Sequence, residues 1–200
     1  YMIVPDKNHI HISSKIEKEE RNGLLRLFDE INHSLDNNLY LAAFTLALNI
    51  PSICGAKQYP NESEDKQFIN WANEWFSQYE KSPYNDTVMP YPTAKLLYDL
   101  RKKYERNGTF NISGNFGGFE LGKFVLRYED KKPFNIYVGE STLSGKYGEL
   151  TINVRDFCWK MVTLGTKFYD ENKELFTSDD MLTLENYDEK IDDYNEFIAI

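Results

Sequence analysis

The fold is decided by residues 39–50, which read LYLAAFTLALNI. Only Thr45 and Asn49 in this stretch are polar, so a helix formed here would be apolar on nearly every side. A helix of that kind is buried on most of its faces. The stretch therefore predicts the central helix of a helical core, and Pro51 and Gly55 predict its end.

Three amphipathic stripes surround this central helix in the sequence. Apolar residues recur at spacings of three and four, which is the helical period. The stripes predict one helix over 18–36, a second around 68–79 and a third that begins after Thr93, a suitable N-cap, and ends at Gly108, a suitable left-handed C-cap. Residues 82–92 contain three prolines and predict a loop.

The sequence changes character after Gly108. Residues 119–128, 134–138 and 149–154 are short, rich in β-forming side chains and separated by turn residues. A further helical stripe follows from Val154 to Tyr169. The fold class predicted is mainly α, a helical bundle of five or six helices with a small antiparallel β insertion.

The chain length predicts a single domain over residues 1–200. Its parts are an N-terminal arm (1–17), a helical bundle (18–108), the β insertion (109–153), a helix (154–175) and an acidic C-terminal segment (176–200).

The net charge of −9 is carried by the C-terminal part of the chain. Residues 170–200 hold eleven carboxylates and two lysines, and the first 169 residues hold 21 acidic and 21 basic side chains. An acidic stretch is usually a solvated surface, but it can also cover a basic partner or a basic patch of its own chain. Apolar residues such as Phe176 and Tyr187 predict that the segment docks on something.

Neither a metal site nor a cofactor is predicted. His9 and His11 would share one side of a strand, but no third ligand is indicated, and His33 is expected on the surface. Cys54 and Cys158 lie among apolar residues and are expected to be free core thiols.

The glycine cluster at 114–118 is predicted to be a β-turn. A dinucleotide-binding loop needs a strand before it and a helix after it, and the predicted order here is the reverse. No run approaches the roughly 18 apolar residues of a membrane span, and the N-terminus lacks the apolar core of a signal peptide. We therefore expect a cytoplasmic protein that does not bind membranes.

The end of the third amphipathic helix carries a cluster of cations. It contains Lys95, Arg101, Lys102, Lys103 and Arg106, against only Asp99 and Glu105. Cations at this end of a helix favour its dipole. The other interpretation is a phosphate-facing edge, because an arginine fork holds two phosphate oxygens. The candidate phosphate-binding residues are Arg101, Lys102 and Arg106, with Tyr98.

This helix end resembles an uncharacterised bacterial family, common in mobile elements, with Tyr-x-Leu-Arg, four residues and then His-x-Gly. Tyr98, Leu100, Arg101 and Gly108 match that pattern. Residues 48–55, the helix containing Trp71 and residues 153–158 are also similar to segments of the family. The arginine and histidine spacing resembles the HEPN (higher eukaryotes and prokaryotes nucleotide-binding) superfamily as well. HEPN proteins are helical bundles, often dimeric, and many are metal-independent ribonucleases of toxin–antitoxin and phage-defence systems.

The resemblance implies a division of labour across a dimer. The arginine would hold the scissile phosphate, and the histidine would transfer a proton between the 2′-hydroxyl and the leaving oxygen. In this chain the histidine position is Arg106, whose guanidinium does not titrate near neutral pH. The implied function is RNA or nucleotide-phosphate binding with catalysis impaired or lost, by a homodimer packed on this helix.

Two alternatives remain open. A metal-independent ribonuclease would need another base, for which Glu105, Asp99, Tyr98 or a histidine from elsewhere are candidates. The chain could instead be a protein-interaction module, antitoxin-like or regulatory, that uses its acidic C-terminal segment.

Overall fold

The structure is a computed structural model that describes residues 19–80, 92–116, 120–128, 136–138 and 148–184. The helices in these ranges are α1 (Gly23–Asp36), α2 (Tyr40–Ala47), α3 (Ile50–Gln58), α4 (Glu64–Trp71), α5 (Ser77–Glu80), α6 (Ala94–Asn107) and α7 (Val154–Glu171). The strands are β1 (Glu19–Asn22), β2 (Gly114–Asn115), β3 (Glu120–Arg127), β4 (Ile136–Val138), β5 (Gly148–Asn153) and β6 (Met181–Leu184). The predicted arm (1–17), the loop up to residue 91, His9, His11 and residues 185–200 lie outside the described ranges.

The described chain is mainly helical, which confirms the predicted class. Both predicted ends of α6 are also confirmed. The side chain of Thr93 accepts a hydrogen bond from the N–H of Leu96 at 3.1 Å. Gly108 has a φ of 66°, in the left-handed region, and its N–H donates to the carbonyl of Tyr104 at 2.8 Å.

The predicted central helix over 39–50 is two helices, α2 and α3, so that prediction is wrong in its boundaries. Pro51 lies in the first turn of α3 rather than after a helix end. In one continuous helix its ring would clash with the carbonyl of Ala47, whereas the first turn of a new helix tolerates proline. The chain therefore breaks at Leu48 and Asn49.

The apolar stretch nevertheless lies at the centre of the core. The Phe44 ring of α2 lies 4.8 Å from the Phe157 ring of α7 and 5.0 Å from that of Phe110, measured between ring centroids. A Cβ atom at Gly165 of α7 would lie only 2.8 Å from the ring of Phe28. The absence of a side chain at Gly165 thus allows α7 to pack closely against α1.

The aromatic stripe over 68–79 forms core packing as predicted, with one exception. A π-helical turn (Ala72–Phe76) joins α4 to α5. Because a π turn takes up an additional residue, it rotates the residues that follow around the helix axis. Phe76 is buried, but Tyr79 is 55% exposed and Glu80 is buried instead.

The β insertion is a mixed sheet rather than the predicted antiparallel one. The strand order is β2-β3-β5-β4, and β3 pairs with β5 in parallel. Only the outer pairs, β2 with β3 and β4 with β5, are antiparallel. Residue alternation indicates a strand but not the direction of its partner, which is why the sequence did not reveal the parallel pair. Leu121, Leu150 and Ile152 are buried and attach this sheet to the helices.

A second sheet pairs the two ends of the described chain. β1 and β6 are antiparallel, whereas residues 19–22 were expected to be helical. The side chain of Asn22 accepts a hydrogen bond from the N–H of Leu24 at 2.9 Å and caps α1. The start of the acidic segment docks on the body, because Lys57 pairs with Asp180 at 2.6 Å and the Phe176 ring lies 4.8 Å from that of Tyr169.

Candidate functional site

The candidate site is formed by the exposed side of α6. Leu96, Leu97 and Leu100 are buried and fix the helix against the core. Residues three and four apart are neighbours on a helix surface, so Tyr98 lies next to both Arg101 and Lys102. The structure thus brings three of the four predicted site residues into one group.

Arg101 is the best-anchored cation of the group. Its side chain is only 15% exposed. Its Nε lies 3.2 Å from Oδ1 of Asn49 and 2.9 Å from Oε1 of Glu105, and Nη1 lies 3.1 Å from Oε1 of Glu64. Arg101 therefore joins α6 to α4 and to the break between α2 and α3.

Lys102 shares both carboxylates with Arg101. Its Nζ lies 3.1 Å from Oε1 of Glu64 and 3.2 Å from Oε2 of Glu105, and 5.8 Å from the centroid of the Tyr98 ring. Hydrogen bonds from Lys102 and then Arg101 lower the pKa of Glu64. The hydrogen bond to Glu64, followed by that to Glu105, raises the pKa of Lys102. We call Arg101 and Lys102 the paired cations.

Lys103 and Arg106 behave differently. Neither makes a salt bridge or a side-chain hydrogen bond to any residue that the structure describes, and Arg106 is exposed. They are three residues apart and so are neighbours on the helix surface. We call Lys103 and Arg106 the unpaired cations. Lys95, the remaining cation of α6, pairs with Asp99.

Three of the segments compared in the sequence analysis meet at Arg101. Asn49 belongs to residues 48–55, Glu64 to the helix that contains Trp71, and Arg101 to the helix end. In the first of these segments Gly55 permits a close approach to α4, since a Cβ atom there would lie 2.2 Å from the carbonyl oxygen of Gln67. Glu64 lies one turn before Gln67, so this approach helps to bring its carboxylate to Arg101. Asn153, in the remaining segment, caps α7 by accepting from the N–H of Asp156.

Among the candidate bases, the carboxylates have cationic partners. Glu105 accepts from both paired cations, and Asp99 accepts from Lys95. The described side chains that hydrogen-bond or ion-pair with Arg101 are thus an amide and two carboxylates, and none of them is a histidine. His33 is exposed on α1 as expected, and its Nε2 lies 3.3 Å from Nδ2 of Asn37.

An apolar groove borders the same helix and was not predicted. It has a volume of about 660 Å³ and is lined by Asn38, Leu39, Tyr40, Leu41, Ala42, Tyr104, Leu126, Tyr128 and Val154. The rings of Tyr40 and Tyr128 are stacked, with centroids 4.9 Å apart, and the guanidinium of Arg155 lies 5.2 Å from the Tyr40 centroid. These contacts join Tyr40 of α2, Tyr128, which follows β3, and Arg155 of α7, and these residues are distant in sequence.

The two cysteines are free and buried, as predicted. Burial raises the pKa of the Cys158 thiol to about 12. Within the described ranges, no three histidine, cysteine, aspartate or glutamate side chains are grouped so that they could hold a metal ion. No helix in those ranges has the length and apolar character needed to cross a membrane.

Comparisons with protein-family models, with curated proteins and with solved structures found no match to this chain.

Proposed function

We propose that this chain is a HEPN-like protein that binds the phosphate groups of RNA or nucleotides at the end of α6, with catalysis impaired or lost. The observation that carries the proposal is the presence of two unpaired cations, Lys103 and Arg106, on the same helix as the paired cations. Arg106 lies four residues after Lys102 and is therefore its neighbour on the helix surface. Cations without an internal partner are available to an external anion at no cost in broken ion pairs.

The electrostatics of the chain favour a local rather than a general attraction. The first 169 residues are neutral overall, so they do not attract nucleic acid by net charge alone. The binding energy must then come from a few contacts at the end of α6. Such contacts release counterions from the nucleic acid and depend strongly on salt concentration.

The identity of residue 106 supports the loss of catalysis. General acid–base transfer needs a group that titrates near the working pH, and arginine stays protonated throughout that range. Hydrogen bonds from Lys102 and Arg101 lower the pKa of Glu64, which favours its ionised form over the form that donates a proton. Arg106 would strengthen the hold on phosphate while leaving the proton without a carrier.

The proposal includes a homodimer packed on α6, in the context of toxin–antitoxin or phage-defence systems. Its support is the resemblance of residues 98–108 to HEPN proteins, in which residues of two protomers meet across the dimer. The exposed position of Arg106 at the end of α6 is compatible with such a contact.

The direct test is RNA binding by the double variant Lys103→Ala with Arg106→Ala. A labelled short single-stranded RNA is titrated at low ionic strength without added metal, and fluorescence anisotropy is recorded. We expect affinity to fall about tenfold or more, and the slope of log affinity against log salt to become shallower by about 1.4, because about 0.7 is lost for each phosphate contact.

The matched control is Lys123→Ala with Lys167→Ala. It removes the same two charges from exposed side chains, 69% and 54% exposed, on β3 and α7. This control should change the affinity by less than about twofold. An equal loss in both double variants would show that only net charge matters and would refute a site on α6.

A further inference from the structure

We propose that Glu64 is a built-in competitor for the phosphate site, whose carboxylate occupies the anion position between Arg101 and Lys102 until a phosphate group displaces it. This inference rests on the proposed function and adds a form of regulation to the same site.

The geometry of Glu64 is that of a bound anion. A single oxygen, Oε1, lies 3.1 Å from Nη1 of Arg101 and 3.1 Å from Nζ of Lys102. A phosphate oxygen placed there would receive the same two charge-assisted hydrogen bonds. The carboxylate therefore stands where an oxygen of the ligand would stand.

Glu64 is also easy to displace. It is the first residue of α4, and its side chain is 58% exposed, against 15% for Arg101 and 27% for Lys102. Ion pairs with an exposed partner contribute little because water and salt screen them. A swing of the Glu64 side chain into solvent needs no change in the backbone of α4.

The two cations stay in position when Glu64 leaves. Arg101 keeps Asn49 and Glu105 as partners, and Lys102 keeps Glu105. The remaining contacts hold the Arg101 guanidinium in one orientation, so little side-chain freedom is lost when a phosphate binds. Removal of Glu64 therefore uncovers a formed site rather than destroying it.

The position of the paired cations favours a ligand with several phosphates in series. Lys102 and Arg106 are four residues apart and are neighbours on the helix surface, so the paired and unpaired cations adjoin each other. A strand could first contact Lys103 and Arg106 and then exchange its next phosphate for Glu64. A single-stranded nucleic acid backbone meets this requirement, and an isolated phosphate ion does not.

The test is the substitution Glu64→Gln, which keeps the size of the side chain and removes its charge. The same labelled single-stranded RNA is titrated at low ionic strength. We expect binding to tighten about fivefold or more, because the phosphate no longer has to displace a carboxylate from Arg101 and Lys102. The salt slope should stay the same, because the same phosphate contacts form in both proteins.

The matched control is Glu62→Gln, two residues earlier in the chain. Glu62 pairs with Lys66 at 3.3 Å and is 44% exposed, so the control removes the same charge without touching α6. It should tighten binding by less than about twofold. A thermal melt of each variant establishes that it folds, and Glu64→Ala serves as a second variant if Glu64→Gln does not.

The outcomes separate the two proposals. Suppose that wild type binds RNA through Lys103 and Arg106, but that the affinity of Glu64→Gln increases no more than that of Glu62→Gln. The proposal that Glu64 competes with phosphate is then wrong, and the proposed binding site is still supported. If no variant binds RNA, Glu64→Gln included, both proposals fail. If only Glu64→Gln binds measurably, both are supported, and the competition is stronger than expected.

Discussion

The paired and unpaired cations of α6 are alike in sequence and differ in structure. Arg101 and Lys102 reach the first residue of α4 and are bound to Glu64 and Glu105. Lys103 and Arg106 contact no carboxylate among the described residues. A count of charges along one helix therefore overstates the number of cations that are available to a ligand. Two of these four cations already pair with carboxylates, and these pairs hold α6 to α4.

The largest expected effect comes from changing one unpaired cation into a titratable group. Arg106→His introduces the residue that stands at this position in the pattern that the helix end resembles. An imidazole titrates near pH 6.5 and can accept or donate a proton, and such a group typically contributes about 10²- to 10⁴-fold in rate. We expect metal-independent cleavage of RNA by Arg106→His and none by wild type, measured on denaturing gels in the presence of a chelator.

The control for this experiment removes a paired cation in the same background. Arg101→Ala with Arg106→His should not cleave, since the phosphate then loses its anchored arginine. Cleavage by wild type at the same rate would mean that another residue supplies the base. An Arg106→His variant that binds RNA but leaves it intact would remove the support for a disarmed HEPN-like site.

The helices of the molecule could be predicted from the sequence because the signals that specify them are local. The stripe of α6, the cap at Thr93 and the turn at Gly108 each involve residues within one or two turns of one another. β1 lacks such a signal, since its residues are polar and its conformation is set by β6, about 160 residues further along the chain. The parallel pairing of β3 with β5 is equally non-local.

The candidate site was predicted in part for the same reason. Arg101, Lys102 and Tyr98 are neighbours through helix geometry, which the sequence contains. The partners that divide paired from unpaired cations are Asn49 and Glu64, which lie 52 and 37 residues from Arg101. No spacing rule connects residues so far apart, so the contacts of Arg101 with Asn49 and Glu64 could be learned only from the fold. Its pairing with Glu105 is local, because the two residues have i,i+4 spacing on α6.

A smaller effect is expected on the stability of the folded state when a paired or an unpaired cation is replaced by alanine. Arg101→Ala removes hydrogen bonds to Asn49, Glu64 and Glu105 from a side chain that is 15% exposed. We expect it to lower the free energy of unfolding by about 1–2 kcal/mol. Arg106→Ala should change it by less than about 0.5 kcal/mol.

Urea denaturation followed by circular dichroism measures both variants under the same conditions. Arg101→Lys is a useful third protein, because a lysine keeps the charge but lacks the fork that reaches several partners at once. Its free energy of unfolding should lie between that of wild type and that of Arg101→Ala. Equal losses for Arg101→Ala and Arg106→Ala would contradict the distinction between paired and unpaired cations.

The smallest effect concerns the pH dependence of the Glu64 contact. Hydrogen bonds from Lys102 and Arg101 hold the pKa of Glu64 below its ordinary value of 4.5. A carboxyl group whose pKa is lowered by folding stabilises the folded state above its unfolded pKa, and this contribution is lost as the pH falls through the folded pKa. The melting temperature of wild type should therefore exceed that of Glu64→Gln by about 2 °C between pH 7 and 5.5. The gap should begin to narrow near pH 4.5 and close once the pH is below the lowered pKa of Glu64, where Glu64 is neutral and resembles glutamine. The other carboxylates are the same in both proteins and cancel. The absence of a gap at pH 7, or a gap that does not narrow as the pH falls below 4.5, would mean that the Glu64 charge does not bind the paired cations in solution.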